Sequence, residues 1–578
     1  MKKLIAMLLA LAMVFALVAC GSSTSTGDTA ATSTAETAEA SATADADRAT
    51  TLNIWMSSEP DHLDPALNSS VDGGCLAVNC FEGLMRYNAE GNLEPACAES
   101  YEVSEDGLTY TFTMRDGLMW SNGEPLDATD FVYSWYRAAS PDLAADYNYL
   151  CEVFDGFSFE DGLEEGVVTA SEDGKTLTVH LNAVCPYFLD LAAFPFFFPV
   201  YEADVEASVT DEQPAGTWAL EAGFVSNGAY TLQTWNHESD MTYVKNENYW
   251  DADTVSVITL NVMLTSNDVS AYTAYQTGDL DFIDSVPTDE LSNAMQSDEF
   301  VILDELGTYY VGFNYNSDLY DKLGLDEDQA AVFRHALTLA IDRQYICDTI
   351  GQTGQLPANT FVPAASSDGN GGVFQEGSDG YYDAYDYEGN VEEARALLES
   401  IGFTFDANGM VEQTIAFTYL TNNSEGNVKI AEAIQADMAQ LGIAMTIDQQ
   451  EWNVFLNTRK NGDFDVAREG WVMDYDDPIN MLEMWCTQSG NNDCQFGRDD
   501  TKALDWSAYD EMISEIRSTS DLAARAELMH EAEDMLMSTW CVVPLYYYND
   551  PYMIKDYVDG VYGTALGMKY FYHATVNA

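Results

Sequence analysis

The chain has 578 residues, with 22 Lys or Arg against 97 Asp or Glu and a formal charge of −75. That balance excludes a nucleic-acid binder, whose affinity comes from basic groups neutralising phosphates, and it repels anionic lipid surfaces. At 47% hydrophobic and 12% aromatic residues the chain is too apolar for a disordered acidic tail, and its length predicts roughly two to four folded domains.

Lys2 and Lys3 precede an apolar run from Leu4 to Val18. The run has the length of a signal-peptide core and is shorter than the ~20 residues a membrane-spanning helix needs. Its end, Leu17-Val18-Ala19-Cys20-Gly21, resembles the lipobox of bacterial lipoproteins, cut before a cysteine that then carries diacylglycerol. Residues 1–19 are therefore expected to be a signal peptide and Cys20 the lipidation site. Residues 20–50, nearly all Ser, Thr, Ala and Gly with scattered acids, form the expected disordered tether. The protein is expected on the outer side of the cell membrane, extracellular or periplasmic, and touching the membrane only through its lipid.

From about 51 to 250, short strands with turns predominate. Leu108 to Met114 and Leu177 to Leu181 alternate like half-buried strands. Asp127 to Asp130 opens a helix with Phe131, Val132, Trp135 and Tyr136 at helical spacing, capped by Thr129 or Asp127. Beyond about 305, strands and helices alternate as in an α/β domain. Ile415 to Leu420 is a predicted strand, Asn427 to Leu441 a helix stopped by Gly442, and Ala444 to Ile447 a strand. A helix at Trp452 to Asn461, a strand at Phe464 to Arg468 and one long helical stretch from Tyr509 to Trp540 follow, before the apolar run Val542 to Tyr548.

Besides Cys20 there are nine cysteines, an odd number that leaves at least one free thiol. Cys486 and Cys494 share one polar loop and are the expected disulfide, with Cys75 and Cys80 a second pair. No CxxC or HxxxH spacing supports a metal site. Catalytic signatures are missing too: there is no GxSxG, HExxH or GxxxxGK[ST], and none of the six histidines sits in a dyad pattern. Among 97 acids a carboxylate pair carries no information about glycosidase chemistry. The segment Phe464 to Pro478 ends an α/β strand with Arg468, Trp471, Asp474 and Tyr475, where such folds commonly bind ligands. Its residues alone fit better a strand ending in a solvated acidic turn, with Trp471 in the core.

This segment resembles the GW-x-x-DY-x-(D/E)-P signature of the oligopeptide-binding receptors of bacterial ABC importers, in the extracellular solute-binding protein family 5. Further matches follow in order along the mature chain. They are Glu59 to Pro65, Phe81 to Leu84, Gly107 to Phe112, Arg115 to Gly117, Trp120 to Pro125 and Ala128 to Trp135, then Ser226 to Tyr230, Asn248 to Trp250, Gln450 to Trp452 and Val543 to Tyr548.

The resemblance implies an α/β fold of the periplasmic-binding-protein type (type II, peptide-binding cluster) with three domains. Residues 51–71, 202–306 and 549–578 would form lobe I, 72–201 an accessory domain and 307–548 lobe III, with the ligand cleft between two hinged lobes. It implies a monomeric, non-enzymatic receptor without cofactor or metal, which captures short peptides and delivers them to ABC transporter permease subunits. The alternatives are the same fold binding a dipeptide, sugar or metal complex, and a secreted acidic hydrolase.

Carried over residue by residue, Asp474 takes the place of the aspartate that pairs with the peptide's α-ammonium. Gly470, Trp471 and Val472, with Ser58, Glu59 and Asp61, match the segments between which the peptide main chain lies as an added strand. Arg459 and Arg468 match arginines that meet the peptide's carboxyl terminus, and Trp452, Tyr309 and Tyr310 match side-chain pockets. Some relatives have a disulfide where this chain has Gly307 and Val472, and a histidine near the ligand about where it has Phe194. The negative field should favour peptides with a free ammonium and basic side chains, with salt screening beyond ~10 Å.

Overall fold

A computed structural model describes residues 48–577, apart from 57, 58, 61, 211 and 499–504. Cys20, Ser58 and Asp61, and the expected signal peptide and nearly all of the tether, lie outside the described residues.

Eleven strands form one mixed sheet. Numbered along the chain, they are β1 (Thr51–Trp55), β2 (Tyr230–Asn236), β3 (Asp240–Lys245), β4 (Thr259–Met263), β5 (Phe282–Ile283), β6 (Phe300–Phe313), β7 (Leu356–Pro357), β8 (Ala416–Asn422), β9 (Ala444–Gln450), β10 (Val466–Val472) and β11 (Val542–Ile554). Their spatial order is β2-β3-β4-β1-β5-β11-β6-β10-β8-β9, with β7 also paired to β11.

Only β11 and β6 join the two ends of this sheet. They run antiparallel from Phe300 opposite Met553 to Gly312 opposite Val542, with register breaks between Asp304 and Thr308 and between Tyr309 and Tyr310. Such irregularities interrupt the ladder and bend the strands. Each end has its own core. Leu52, Ile54, Tyr230, Tyr243, Leu260 and Phe571 pack together around β1–β4. Phe333, Tyr419, Ile434, Met438 and Val543 pack around β8–β11, and this cluster continues into Phe112, Trp135 and Phe188.

Phe112 belongs to a separate antiparallel sheet of Ala98–Val103, Thr109–Met114, Thr176–His180 and Val168–Ala170, and Trp135 and Phe188 come from helices beside it. Thr109–Met114 alternates as its sequence predicts, with Tyr110, Phe112 and Met114 inward. Two helices matter here: α1 (Val71–Cys80) and α2 (Ala128–Ala138). Asp127 and Asp130 form a capping box at the start of α2, which buries Phe131, Trp135 and Ala138. Full burial of each large side chain contributes roughly 1.5–3 kcal/mol. This unit meets the β8–β10 end through Tyr187, stacked on Tyr475 at 4.4 Å, and through Glu152 paired with Arg517.

The helices α3 (Glu425–Gln440) and α4 (Trp452–Lys460) alternate with β8, β9 and β10. Gly442 follows α3 at φ +80°, a left-handed turn that glycine adopts without strain. The predicted stretch from Tyr509 to Trp540 is two helices, Ser507–Ser518 and Leu522–Ser538. Thr519 turns extended and the Asp521 carboxylate caps the second helix by accepting from the amides of Ala523 and Ala524.

The cysteine pairing is corrected. Cys486 and Cys494 are both buried and unpaired, as are Cys75 and Cys80. Cys494 Sγ turns toward the sheet, 3.9 Å from the carbonyl of Cys541. Asn492 closes the loop instead, donating to the carbonyls of Cys486 (3.3 Å) and Phe496 (2.9 Å). Cys75 Sγ accepts from the amide of Lys569 at 3.3 Å.

Arg525, 2% exposed, grips Asp477 with both ends of its guanidinium at 2.7 and 2.8 Å. Removing one partner leaves the other charge buried alone. Asp477→Ala is expected to lose about 3–5 kcal/mol in urea unfolding, and adding Arg525→Met to recover part of it. An unchanged unfolding midpoint for Asp477→Ala contradicts this.

Candidate functional site

β10 pairs with β6 along its whole length, from Val466 opposite Phe313 to Val472 opposite Gly307. On its other side β8 reaches it only at Val466 and Ala467. Arg468 to Val472 therefore keep an open ladder edge among the described residues, with polar backbone groups that need partners once water leaves. A cavity of about 320 Å³ runs beside that edge, lined by Gly470, Trp471 and Val472 among others. Because strand side chains alternate between faces, three consecutive residues border one cavity only along the strand's edge. The cavity is also lined by Asn68 to Asp72 at the start of α1, by Asp284 and Met568, and by Tyr147 and Phe194.

Asp474, two residues past β10, lines the cavity. Tyr147 Oη donates to its Oδ1 at 3.1 Å and Asn480 Nδ2 to its Oδ2 at 2.9 Å. Asn480 is fully buried, and its amide oxygen accepts from Trp471 Nε1 (2.9 Å) and the Asp474 amide (3.1 Å). Those two donors fix the amide's orientation, so its NH2 must face the carboxylate. Burial pushes the Asp474 carboxyl up to about 7, with the two hydrogen bonds opposing and nearby Glu483 adding to the rise. Among the described residues no Lys or Arg stands at ion-pair distance from it, whereas Asp477 has Arg525 and Glu483 has Arg517.

Arg468 is the converse. Its guanidinium lies 5.2 Å from the Tyr309 ring centre and 5.8 Å from that of Trp452, and its Nη2 donates to Tyr548 Oη at 3.4 Å. No carboxylate reaches ion-pair distance among the described residues. The cavity thus holds an anion without a cation and a cation without an anion, with Gly470 between them. A Cβ on Gly470 would overlap the Tyr548 hydroxyl.

Several sequence expectations are redirected. Arg459 lines the cavity, but its Nη1 and Nε engage Glu469 Oε2 and Asp493 Oδ2, both at 2.8 Å. Glu59 does not line the cavity; it accepts from the Glu238 amide at 2.7 Å and pairs with His237. Tyr309 and Tyr310 do not line it either. As neighbours on β6 they point to opposite faces: Tyr309 stacks on Tyr546 at 4.9 Å beneath Arg468, and Tyr310 packs on Phe361 at 5.1 Å. Trp452 does line the cavity, as does Phe194. Sequence reasoning missed Tyr147, 327 residues from Asp474, which no local pattern could find, and Asn480, which sits just beyond the Asp474 turn.

The contact of Gly470 with Tyr548 supplies a test. Gly470→Ala is expected to cost about 1–3 kcal/mol of stability through overpacking, and Tyr548→Phe in the same chain to restore most of it. A thermal midpoint indifferent to Gly470→Ala contradicts the geometry.

Residues 92–493 match the family model described as bacterial extracellular solute-binding proteins, family 5 Middle. The oligopeptide-binding protein OppA of Bacillus subtilis is 31% identical over 542 residues, 92% of this chain and 93% of its own. Among solved structures, the murein tripeptide binding protein MppA of Escherichia coli superposes with a TM-score of 0.80 at 25% identity, covering 91% of this chain and 98% of that one. The unliganded open form of MppA gives only 0.58, at 25% identity over 91% and 97% of the two chains. With the family model covering well over half of its length, this chain belongs to the family 5 bacterial extracellular solute-binding proteins.

Proposed function

We propose that this protein captures short peptides outside the cytoplasm and passes them to the permease of an ABC importer. The observation that carries this is the open edge of β10, flanked by a carboxylate lacking a cation and an arginine lacking an anion. A peptide is a zwitterion with a hydrogen-bonding backbone between its charges. With its ammonium on Asp474 and its carboxylate toward Arg468, it would run antiparallel to β10 as an added strand. The two positions are six residues apart, at most roughly 20 Å in extended chain, and both side chains shorten that gap, which suits a peptide of a few residues. Main-chain hydrogen bonds serve any side chain, so one receptor can accept many sequences.

In this reading residues 51–71, 202–306 and 549–578 form lobe I, 72–201 the accessory domain and 307–548 lobe III. The register breaks in β6 and β11 supply the hinge, and the better match to MppA than to its open form supports a closed cleft. Lys429 to Asp289 (2.8 Å) and Lys460 to Ser69 Oγ (2.7 Å) bridge the lobes at its rim. Cys20 carries the lipid anchor. Cys20→Ser is expected to release the protein from cell membranes into the soluble fraction; retention at the membrane contradicts the anchor.

Asp474 gives the binding step a pH signature. A carboxyl raised to about 7 favours the ligand-free closed form while protonated, and that contribution fades as pH rises through 7. An arriving ammonium binds the ionised form, so below pH 7 binding must expel a proton. Calorimetry with tri-alanine is expected to show affinity falling up to about tenfold per pH unit below 7, and Asp474→Asn to flatten that slope. At neutral pH, Asp474→Asn or amino-terminal acetylation should each cost about 1.5 kcal/mol or more, the second change adding little to the first. Equal affinity for free and acetylated peptides contradicts the amine anchor.

A further inference from the structure

We infer that the cavity wall formed by Asp72 and Asp284 selects peptides with a lysine or arginine side chain at position 1 or 2. The inference rests on the peptide reading of the same cavity and names the ligand class within it.

Asp72 and Asp284 both line the cavity. Asp284 is half-engaged: its Oδ1 lies 2.7 Å from Lys569 Nζ, but Asp550 Oδ2 claims the same ammonium at 2.8 Å. Lys569 is 4% exposed, so one buried cation faces two carboxylates. Asp72 has no cation at ion-pair distance among the described residues. Among the described residues it accepts from the Gly73 amide at 3.0 Å, from Ser70 and from its own amide. Burial pushes its carboxyl up to about 6 and raises that of nearby Glu305 as well. Holding Lys569 requires one carboxylate; Asp72 does no part of that task.

The wall also stands where the ligand must pass. A Cβ on Gly567 would lie 3.2 Å from Val71 Cγ1, 3.3 Å from Val472 Cγ1 and 3.1 Å from Glu305 Oε1. The start of α1 therefore meets the last residue of the open edge, beside the amino-terminal half of a strand anchored at Asp474. At the other end stands Arg468, while Arg459 is already matched by two acids. Charge along the cavity runs from carboxylates to an uncompensated guanidinium. A basic side chain early in the peptide meets anions; the same side chain at the carboxyl end meets Arg468.

The test compares Ala-Ala-Ala, Lys-Ala-Ala, Ala-Lys-Ala, Ala-Ala-Lys and Ala-Glu-Ala by calorimetry at low salt on the lipid-free mature chain, with the tetra- and pentapeptide equivalents. Lysine at position 1 or 2 is expected to tighten binding at least tenfold over alanine, and lysine at the last position not to. Asp72→Asn should erase most of that gain, with an unchanged thermal midpoint showing that the variant folds. Equal affinities across the series, or a lysine gain that survives both Asp72→Asn and Asp284→Asn, would overturn the inference and leave the peptide receptor standing. Failure of every free-amine peptide to bind would overturn both.

Discussion

Burying Asp474 without a counter-cation is the constraint around which the site is built. A carboxylate in that position loses hydration that two neutral hydrogen bonds, from Tyr147 and Asn480, only partly replace. The molecule could have relieved this by supplying an arginine, as it does at Asp477, Glu483 and Glu469. At Asp474 it supplies donors that aim the carboxylate and leaves the charge unmatched. Closing the cleft over it is therefore favourable when the missing cation arrives with the ligand.

The main-chain edge works by the same logic. Among the described residues Arg468 to Val472 pair with β6 on one side and with no strand on the other, so water or a ligand must satisfy the polar backbone groups of that edge. Both demands converge on a partner with an ammonium and an extended backbone. The strands β6 and β11 that join the two ends of the sheet carry their register breaks between Asp304 and Thr308 and between Tyr309 and Tyr310, where the ladder is interrupted.

Much of this was legible in the chain. The capping box at Asp127, the stop at Gly442 and the alternation of Thr109 to Met114 are local rules obeyed locally. The ordered series of motifs points to Asp474, Gly470 to Val472 and Trp452, and these line one cavity. What escaped was long-range or face-dependent. Tyr309 and Tyr310 pack on different partners, Tyr546 and Phe361, away from the cavity, and Arg459 is claimed by Glu469 and Asp493 from two different segments. The Cys486 and Cys494 loop has the composition of a disulfide loop, but an asparagine's hydrogen bonds close it and Cys494 turns to the sheet.

The central claim is that the ligand is a peptide whose free amine completes Asp474. Mass spectrometry of the small molecules released on denaturing the protein, purified natively from its own cells, tests it most directly. The account predicts a mixture of short peptides with unblocked amino termini. A single non-peptide solute recovered reproducibly at one equivalent per chain would contradict it.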